Sequence, residues 1–277
     1  MKTFEFTTSQ KQRLMELGGF NFLDLEFPSE SDRETQFTEI SVRLERKNKQ
    51  DLLEILKTTR KPVIRRLENE LVDGLTNAGF TEVLTPTIIP MESIRRMGIA
   101  EDHDLWKQIF WVDTRRCLRP MLAPNLYHIM RQLRKISKPV SIFEVGSCFR
   151  KETGGREHAE EFTMLNAVEL APEKDAIERL KEMVSIGLGA IGIRDYKLQE
   201  VESEVYGETV DVVVDDLEVA SAAVGPHRLD RNWEIFDPWA GVGFGLERLT
   251  MVIRKSKNLG HIGRSFTHLD GAALRLT

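Results

Sequence analysis

The 277-residue sequence predicts an α+β fold, in which helices flank a mostly antiparallel β-sheet and a small helical appendage precedes them. Three observations predict this fold. Short β-rich runs recur through the second half of the chain, and long, varied connections separate them, which favours antiparallel pairing over regular crossovers. Several intervening segments carry apolar residues at helical spacings of three and four. The first sixty residues, in contrast, are polar and helix-forming.

Two domains are expected, with a boundary near residue 60. Residues 1–60 form the appendage, with helices near 7–18 and 32–57. Residues 61–277 form the body, which is long enough to bury a sizeable core. We expect the appendage to contact a polyanionic partner, for reasons of charge given below.

The body begins with an amphipathic helix after Pro62, because proline suits the first position of a helix. Gly79 ends this helix, where a left-handed cap is expected. Further helices are predicted near 124–135 and 173–191. The apolar stripe of the first helix is Ile64, Leu67, Leu71 and Leu75. The strand-like runs are QIFWV, VSIFEVGSCFR, EFTMLNAVEL, ETVDVVV and LEVASAAVG.

Composition restricts the possible function classes. Hydrophobic residues make up 41% and charged residues 30%, which is typical of soluble globular proteins. No run approaches the roughly 18 apolar residues of a membrane helix, and the N-terminal MKTFEFTTSQKQRL lacks a secretory signal. Cys117 and Cys148 are too few for a disulfide framework or a structural zinc site. We therefore expect a cytoplasmic protein that does not bind a membrane.

Charge is unevenly distributed along a chain whose net charge is −5. Residues 43–66 hold nine Lys or Arg against three Asp or Glu, whereas residues 200–218 hold eight acids and no Lys or Arg. The basic segment is either a solvated helix face or a surface for a polyanion. The acidic stretch is a candidate region for holding cations.

A phosphate- and base-binding site is predicted around FEVGSCFRKE and the following HAEEFTMLN. Arg150 and Glu152 point the same way from a strand, because side chains alternate with a period of two. Arg150 offers a rigid fork of donors to a phosphate. Glu152 can accept a hydrogen bond from an adenine amino group, and Phe162 offers a face for the base, with His158 nearby. The alternative is an ordinary surface Arg–Glu pair.

A second glycine-rich signal lies in AGVGFGLERLTMVI, residues 240–253. Gly241, Gly243 and Gly245 alternate, so one face of a strand has no side chain and a ligand can approach it closely. Arg248 follows in the first turn of a helix, where it can stack on a purine and also reach a phosphate. The helix is expected to pack inward through Leu246, Leu249, Val252 and Ile253.

Together with NAGFTEVLTPTII at residues 77–89, these segments resemble motifs 1, 2 and 3 of the class II aminoacyl-tRNA synthetases, in that family's order. The resemblance implies a class II synthetase-type antiparallel sheet that binds ATP, and a homodimer built by motif 1. LRPMLAPNLY, SAAVGP and PWAGVGFGLERL are further similar to the pyrrolysyl-tRNA synthetase family. This similarity covers residues 62–277 well and implies the short type, without an attached N-terminal tRNA-binding domain.

The resemblance implies specific roles at the ATP site. Arg150 and Arg248 are the catalytic residues; Arg150 would bind the α-phosphate, and Arg248 would cover the adenine and reach the γ-phosphate. Glu218 and Ser221 would lie near Mg²⁺ and the triphosphate. Mg²⁺ prefers oxygen ligands and often uses one or two carboxylates plus phosphates. The full implied ATP-binding set is Arg150, Glu152, His158, Phe162, Glu218, Ser221, Gly243 and Arg248.

The resemblance also implies an amino-acid pocket suited to pyrrolysine or a related N-ε-acylated lysine. Asn166 is the single amide there, and it is expected to pair with a polar group of the substrate because an unpaired buried amide costs free energy. Val168 stands where some family members have cysteine, which leaves the substrate preference open. The pocket residues are Ala123, Leu126, Tyr127, Met130, Asn166, Val168, Ala223 and Trp239, with Tyr206 as a mobile lid.

The implied reaction is ATP-dependent ligation of the amino acid to its cognate tRNA, with release of AMP and pyrophosphate. It requires alignment and positive charge but no protein nucleophile. Two alternatives remain. One is another class II enzyme, of the phenylalanyl or phosphoseryl type, although the latter would need several cations in the pocket. The other is a non-catalytic paralogue that serves as a regulatory or tRNA-binding module.

Overall fold

A computed structural model describes residues 3–151, 159–203, 205–256 and 258–276. Its α-helices are α1 Thr8–Glu16, α2 Glu30–Glu54, α3 Val63–Asn77, α4 Met91–Arg96, α5 Asp104–Lys107, α6 Ala123–Leu133, α7 Ala176–Ala190, α8 Leu246–Arg254 and α9 Leu259–Ile262. Its strands are β1 Phe4–Glu5, β2 Glu26–Phe27, β3 Thr81–Glu82, β4 Ile88–Pro90, β5 Arg116–Leu118, β6 Val140–Phe149, β7 Glu161–Leu170, β8 Lys197–Ser203, β9 Gly207–Val214, β10 Leu217–Gly225, β11 Trp239–Gly245, β12 His268–Leu269 and β13 Ala272–Ala273.

A central sheet of seven strands organises the part of the chain described here. The strand order is β3-β6-β7-β11-β10-β9-β8. Every neighbouring pair is antiparallel except β3 and β6, which run parallel. The sheet confirms the predicted α+β class and its mostly antiparallel pairing. It also brings the two glycine- and arginine-containing motifs together, because β7 of the first pairs directly with β11 of the second.

Helix α3 forms as its apolar spacing predicts. Pro62 is the N-cap, and Gly79 follows the helix with φ of 89°, a left-handed conformation that glycine adopts without steric cost. Leu67, Leu71 and Leu75 are at most 4% exposed and pack with residues of α7 and α8 against one sheet face. Ile64 is only partly buried at the margin of this core.

The opposite sheet face carries a second core. Because side chains alternate along a strand, Phe143 joins the α3 core while Ile142 faces the other way. Ile142 and Val168 pack there with Leu126 and Tyr127 of α6. Sheet and α6 therefore enclose the space in which the candidate site lies.

The N-terminal residues form their own small core with the end of the chain. Strands β1 and β2 pair, and Leu14 and Leu44 of α1 and α2 pack with Ala273 of β13. The Ala273 amide donates to Asn48 Oδ1 at 2.7 Å, and the Val63 amide donates to Asp270 Oδ1 at 3.0 Å. The helical character expected for residues 1–60 is confirmed, whereas the domain boundary at residue 60 stays a prediction.

Two expectations about local structure were wrong. QIFWV does not form a regular strand: Ile109 is fully buried, and Trp111 makes only an isolated bridge to Cys117. Ile253 does not face the core but is 39% exposed near the end of α8. Strand β8 was not predicted, because its sequence KLQEVES is mostly exposed at the sheet edge.

Candidate active site

A cavity of about 740 Å³ opens where β7, β10 and β11 meet α6. Glu152 and His158 lie outside the described residues. The cavity brings together the other fifteen predicted site residues, whose roles stay predictions: Ala123, Leu126, Tyr127, Met130, Arg150, Phe162, Asn166, Val168, Tyr206, Glu218, Ser221, Ala223, Trp239, Gly243 and Arg248.

One end of the cavity, called here the charged end, is built around Arg150, just beyond the end of β6. Its Nε donates to the carbonyl oxygen of Pro120 at 2.9 Å. Its guanidinium lies 5.3 Å from the ring centre of Phe162, a cation–π contact. The carbonyl and the ring together hold the guanidinium in a fixed orientation on the cavity wall.

Arg248 completes the charged end from the first turn of α8. Its Nη1 donates to the carbonyl oxygen of Glu218 at 3.1 Å and pairs with Glu218 Oε2 at 2.9 Å. The two side chains are 24% and 44% exposed, so the pair remains open to the cavity and to solvent. A polyanion could compete for this arginine at modest cost, because ion pairs in contact with water are weak.

A β-bulge in β10 gives the acidic stretch its geometry. The pairing with β9 shifts between Glu218 and Ala220. Side chains three apart normally face opposite sides of a strand, but the extra residue lets Glu218 and Ser221 both line the cavity. Asp211 lies opposite Ser221 on β9. Burial raises the pKa of Asp211, the Ser221 hydroxyl opposes this by hydrogen bonding, and the charge of Glu218 raises it further.

These oxygen donors fit a hard cation that brings ligands of its own. Among the described residues, no group of three or more His, Cys, Asp or Glu side chains could hold a metal ion. Glu218 and Ser221 offer one carboxylate and one hydroxyl on the cavity wall. That donor set matches Mg²⁺, which keeps several waters and is commonly bound through one or two carboxylates plus phosphates.

Gly243 of β11 leaves open space in the middle of the cavity. Gly243 lies opposite Asn166 in the β11–β7 pairing. A Cβ atom at Gly243 would lie 3.0 Å from Asn166 Oδ1 and 3.2 Å from its Nδ2. Even a methyl group here would require the amide to shift by a few tenths of an ångström, and a larger side chain would enter the cavity, as the alternating glycines predict.

The other end, called here the apolar end, is lined by buried rings and aliphatic chains. Leu126, Tyr127 and Met130 come from one face of α6 and are 2–3% exposed. Trp239 of β11 is 4% exposed, and its ring centre lies 6.2 Å from that of Tyr127 in an edge-to-face arrangement. Ala123, Val168 and Ala223 add smaller walls, and Tyr206 packs edge-to-face on Trp239 at 5.9 Å.

Asn166 is the uncommitted polar group between these ends. Its Oδ1 is buried, and among the described residues no group hydrogen-bonds to it. It lies four residues after Phe162 on continuous strand β7, and both side chains line the cavity, as their even spacing predicts. A buried amide oxygen without a partner is costly, so a ligand group that donates to it would be stabilised here.

A buried ion pair that no motif in the sequence predicts lies next to the anchor of Arg150. Arg119 and Glu144 are 3% and 0% exposed, and Nη1 lies 2.7 Å from Oε1. Glu144 also accepts from the amide and hydroxyl of Thr85, so the pair ties the segment after β3 to β6. Arg119 precedes Pro120, whose carbonyl holds Arg150. Nothing in the local sequence distinguishes Arg119 from a surface arginine.

Glu247 was also missed as a cavity residue. It is 2% exposed, and both carboxylate oxygens accept from the Thr163 amide at 2.9 Å. Burial raises its pKa, and hydrogen bonds together with the charge of Arg264 oppose the increase. Glu247 therefore joins α8 to β7 immediately beside Phe162, and its position next to Arg248 in the motif was the available signal.

Comparison with known proteins gives two kinds of match. The sequence model of the phenylalanyl-tRNA synthetase beta chain CLM domain matches residues 53–235. A crystal structure of pyrrolysyl-tRNA synthetase from Desulfitobacterium hafniense is 44% identical, with 99% of each chain covered and a TM-score of 0.92. A second structure of a pyrrolysyl-tRNA synthetase from this organism is 43% identical over 98% of each chain, with a TM-score of 0.90.

Proposed function

The chain belongs to the pyrrolysyl-tRNA synthetase family, and from this premise we propose that it activates pyrrolysine, or a related N-ε-acylated lysine, with ATP and transfers it to a cognate tRNA. The uncommitted amide of Asn166 in a mostly apolar pocket supports this substrate class most directly. A long aliphatic side chain ending in an amide would fill the apolar end and meet Asn166 with a polar group.

In the activation step, a carboxylate oxygen of the amino acid attacks the α-phosphorus of ATP. The new oxygen–phosphorus bond forms as the bond to the β-phosphate oxygen breaks, and pyrophosphate leaves with the electron pair. Arg150 and Arg248 stabilise the charge that develops on the phosphate oxygens, and Phe162 offers a face to adenine. The terminal ribose hydroxyl of the tRNA then attacks the acyl carbon, and AMP leaves.

Glu218 and Ser221 are proposed to hold Mg²⁺ together with the phosphates. The ion, when bound, would neutralise phosphate charge and orient the leaving pyrophosphate. The pairing of Arg248 with Glu218 supports a shared role, since incoming phosphates would take over the arginine and leave the carboxylate for the cation. In this account Asp211 supports Ser221 from the neighbouring strand.

The match to the phenylalanyl beta-chain domain favours a second candidate, activation of an aromatic amino acid. The cavity argues against it, because an aromatic side chain would leave the buried Asn166 Oδ1 without a donor. A phosphoseryl specificity is disfavoured as well. Among the described residues lining the cavity, the Lys and Arg side chains are Arg150 and Arg248, both at the charged end. The presence of these arginines also disfavours a non-catalytic paralogue.

Residues 43–66 are proposed to contact the tRNA backbone. Lys47, Lys49, Arg60 and Lys61 are exposed and make no ion pair with any residue that the structure describes. A basic surface of this kind attracts phosphates through release of counterions.

We propose a cytoplasmic enzyme. No helix in the described residues has the length and apolar character needed to span a membrane.

A homodimer formed through residues 77–89 is part of the proposal. Leu84 lies two residues after edge strand β3 and is 92% exposed, and Ile88 of the same segment is 45% exposed, so the segment offers apolar surface that a partner chain can cover. Light scattering should give the mass of two chains for the native protein. Leu84→Arg should shift that mass towards one chain, and an unshifted dimer would exclude this surface.

Aminoacylation of tRNA tests the proposed function itself. Purified protein is incubated with ATP, Mg²⁺, an N-ε-acylated lysine and a pyrrolysine-type tRNA, and the charged tRNA is separated from free tRNA on an acidic gel. We expect charged tRNA and an equal amount of AMP. Adenylate formation without any charging of the tRNA would contradict the transfer step. The absence of both adenylate and charged tRNA would contradict the whole proposal.

A further inference from the structure

Asp230 is a buried carboxylate that the proposed chemistry does not use. It is 1% exposed and lies in a 3₁₀ turn, Arg228–Trp233. The Tyr127 hydroxyl donates to its Oδ1 at 2.7 Å, and the Trp239 indole Nε1 donates to its Oδ2 at 2.9 Å. The backbone amide of His227 donates to Oδ2 as well. Several directed donors compensate the cost of burying this group.

Both side-chain donors are walls of the apolar end, and they come from distant elements. Tyr127 lies on α6 and Trp239 on β11. The orientation of Trp239 is also built into the backbone, because a Cβ atom at Gly225 would lie 1.9 Å from the indole Nε1. Only glycine at this position lets the indole reach Asp230. One carboxylate thus fixes the rotation of two adjacent rings that line the pocket.

The same hub extends to the third ring. Burial raises the pKa of both the Tyr127 and the Tyr206 phenol, so both hydroxyls stay protonated well above neutral pH. Tyr206 also packs edge-to-face on Trp239. Asp230 therefore contacts Tyr127 and Trp239 directly and reaches Tyr206 through Trp239, which gives it influence over the three aromatic side chains of the apolar end.

We propose that Asp230 is a positioning residue that determines amino-acid selectivity by holding Tyr127 and Trp239 in place. It does not touch the substrate. A pocket selects among long side chains only if its walls keep their separation, and packing partners behind the walls supply that rigidity. This inference rests on the proposed function, because it assigns Asp230 to the amino-acid end of the reaction.

The test compares two buried aspartates. Asp230→Asn keeps the volume, but its amide group has one acceptor oxygen where the carboxylate has two, so one ring loses its bond. Asp270→Asn is the matched control: Asp270 is 9% exposed and is hydrogen-bonded by Val63 and Arg254 away from the cavity. ATP–pyrophosphate exchange gives KM and kcat for an N-ε-acylated lysine, for phenylalanine and for ATP, and thermal melting gives stability.

For Asp230→Asn we expect KM for the acyl-lysine to rise about tenfold or more, as for loss of a hydrogen bond to a charged group. KM for ATP should stay near the native value, and the preference for acyl-lysine over phenylalanine should fall. Asp270→Asn should lower the melting temperature without moving that preference. Tyr127→Phe, which removes the same bond from the other side and keeps the ring, should shift the preference in the same direction.

If Asp230→Asn kept the native KM and the native preference for acyl-lysine, Asp230 would have only a structural role and the proposal would be overturned. If that variant does not fold, an unchanged preference in Tyr127→Phe would overturn the proposal equally. The native protein separates the two claims. If the native protein shows no exchange with any acyl-lysine, the proposed function is contradicted. If the native protein is active and Asp230→Asn loses the preference for acyl-lysine over phenylalanine, the positioning role is supported.

Discussion

The two ends of the cavity differ in how exposed their side chains are and in how those side chains are held. At the charged end, Arg248 and Glu218 are 24% and 44% exposed, and Arg150 is anchored to a backbone carbonyl. At the apolar end, Tyr127 and Trp239 are 2% and 4% exposed, and Asp230 fixes both behind the wall. Under the proposed function, the charged end would meet groups that every amino-acid substrate shares, and the apolar end would meet the group that differs. Substitutions at the charged end should slow the reaction of all substrates by the same factor. Substitutions at the apolar end should change which substrate is preferred.

The largest effect is expected at the charged end. Arg150→Ala and Arg248→Ala should each reduce adenylate formation about a hundred- to thousandfold, since removing one charged transition-state interaction typically costs about 3–4 kcal/mol. The loss should be the same factor for every amino acid that the native enzyme accepts. ATP–pyrophosphate exchange without tRNA measures both the rate and the factor.

Arg66→Ala is the matched control for this prediction, because Arg66 is an exposed arginine on α3 outside the cavity. It should exchange at the native rate, and all three variants should melt cooperatively. Near-normal exchange by either cavity variant would remove that arginine from the reaction. A loss confined to one class of amino acid would break the distinction between the two ends.

An intermediate and selective effect is expected at Asn166. Asn166→Ala should cost about 1–3 kcal/mol in kcat/KM for an N-ε-acylated lysine, roughly five- to 150-fold, because a directed hydrogen bond is lost. It should also admit bulky aromatic amino acids, since the space beside Gly243 is no longer filled by the amide. Exchange kinetics with both substrate types in both proteins measure the two changes.

Asn48→Ala separates selectivity from stability at this step. Asn48 is another buried amide, but the Leu17 and Leu44 carbonyls and the Ala273 amide satisfy its hydrogen bonds in the N-terminal core. Its loss should lower the melting temperature and leave selectivity alone. An Asn166→Ala enzyme that neither lost acyl-lysine activity nor gained aromatic activity would make Asn166 a core amide.

The smallest effect per residue is expected outside both ends. Neutralising Lys47, Lys49, Arg60 and Lys61 should weaken tRNA binding and reduce the slope of log affinity against log salt by about 0.7–0.9 for each phosphate that is no longer neutralised. Exchange without tRNA should not change. Filter binding over a salt series measures the slope. The matched control neutralises four exposed lysines elsewhere that likewise form no ion pair with a described residue, namely Lys135, Lys181, Lys197 and Lys255.

An unchanged affinity or salt slope would show that residues 43–66 are an ordinary solvated face. An equal loss of affinity in the control set would point to net charge instead of a local interaction. A change in tRNA-free exchange would mean that the segment acts on the cavity, which the comparison between the two ends does not allow.

Much of the sheet could be predicted because its inner strands are rich in apolar and β-branched residues and are bounded by turn residues. β7 and β10 begin and end where the β-rich runs predict. The prediction failed where a strand is polar or where an apolar run does not form a strand. β8 is polar because it covers an edge, and QIFWV is apolar because it packs into the second core without a partner strand along its length.

The site was predictable where a motif concentrates its chemistry in a short segment. Arg150, Phe162 and Arg248 could be identified in this way, and the resemblance added the pocket. Asp230 could not be, because it lies in Leu-Asp-Arg-Asn, which is typical of an exposed turn, and its partner Tyr127 is 103 positions away. The β10 bulge that turns Glu218 and Ser221 to one face was equally hidden, since it depends on the pairing with β9.

The central claim is that the apolar end is built for a long aliphatic side chain ending in a polar group. ATP–pyrophosphate exchange by the native protein across pyrrolysine, long N-ε-acylated lysines, lysine, phenylalanine and phosphoserine tests it most directly. We predict the highest kcat/KM for pyrrolysine or an acylated lysine, with the other three far lower. A preference for phenylalanine, or for lysine without an acyl group, would contradict the account.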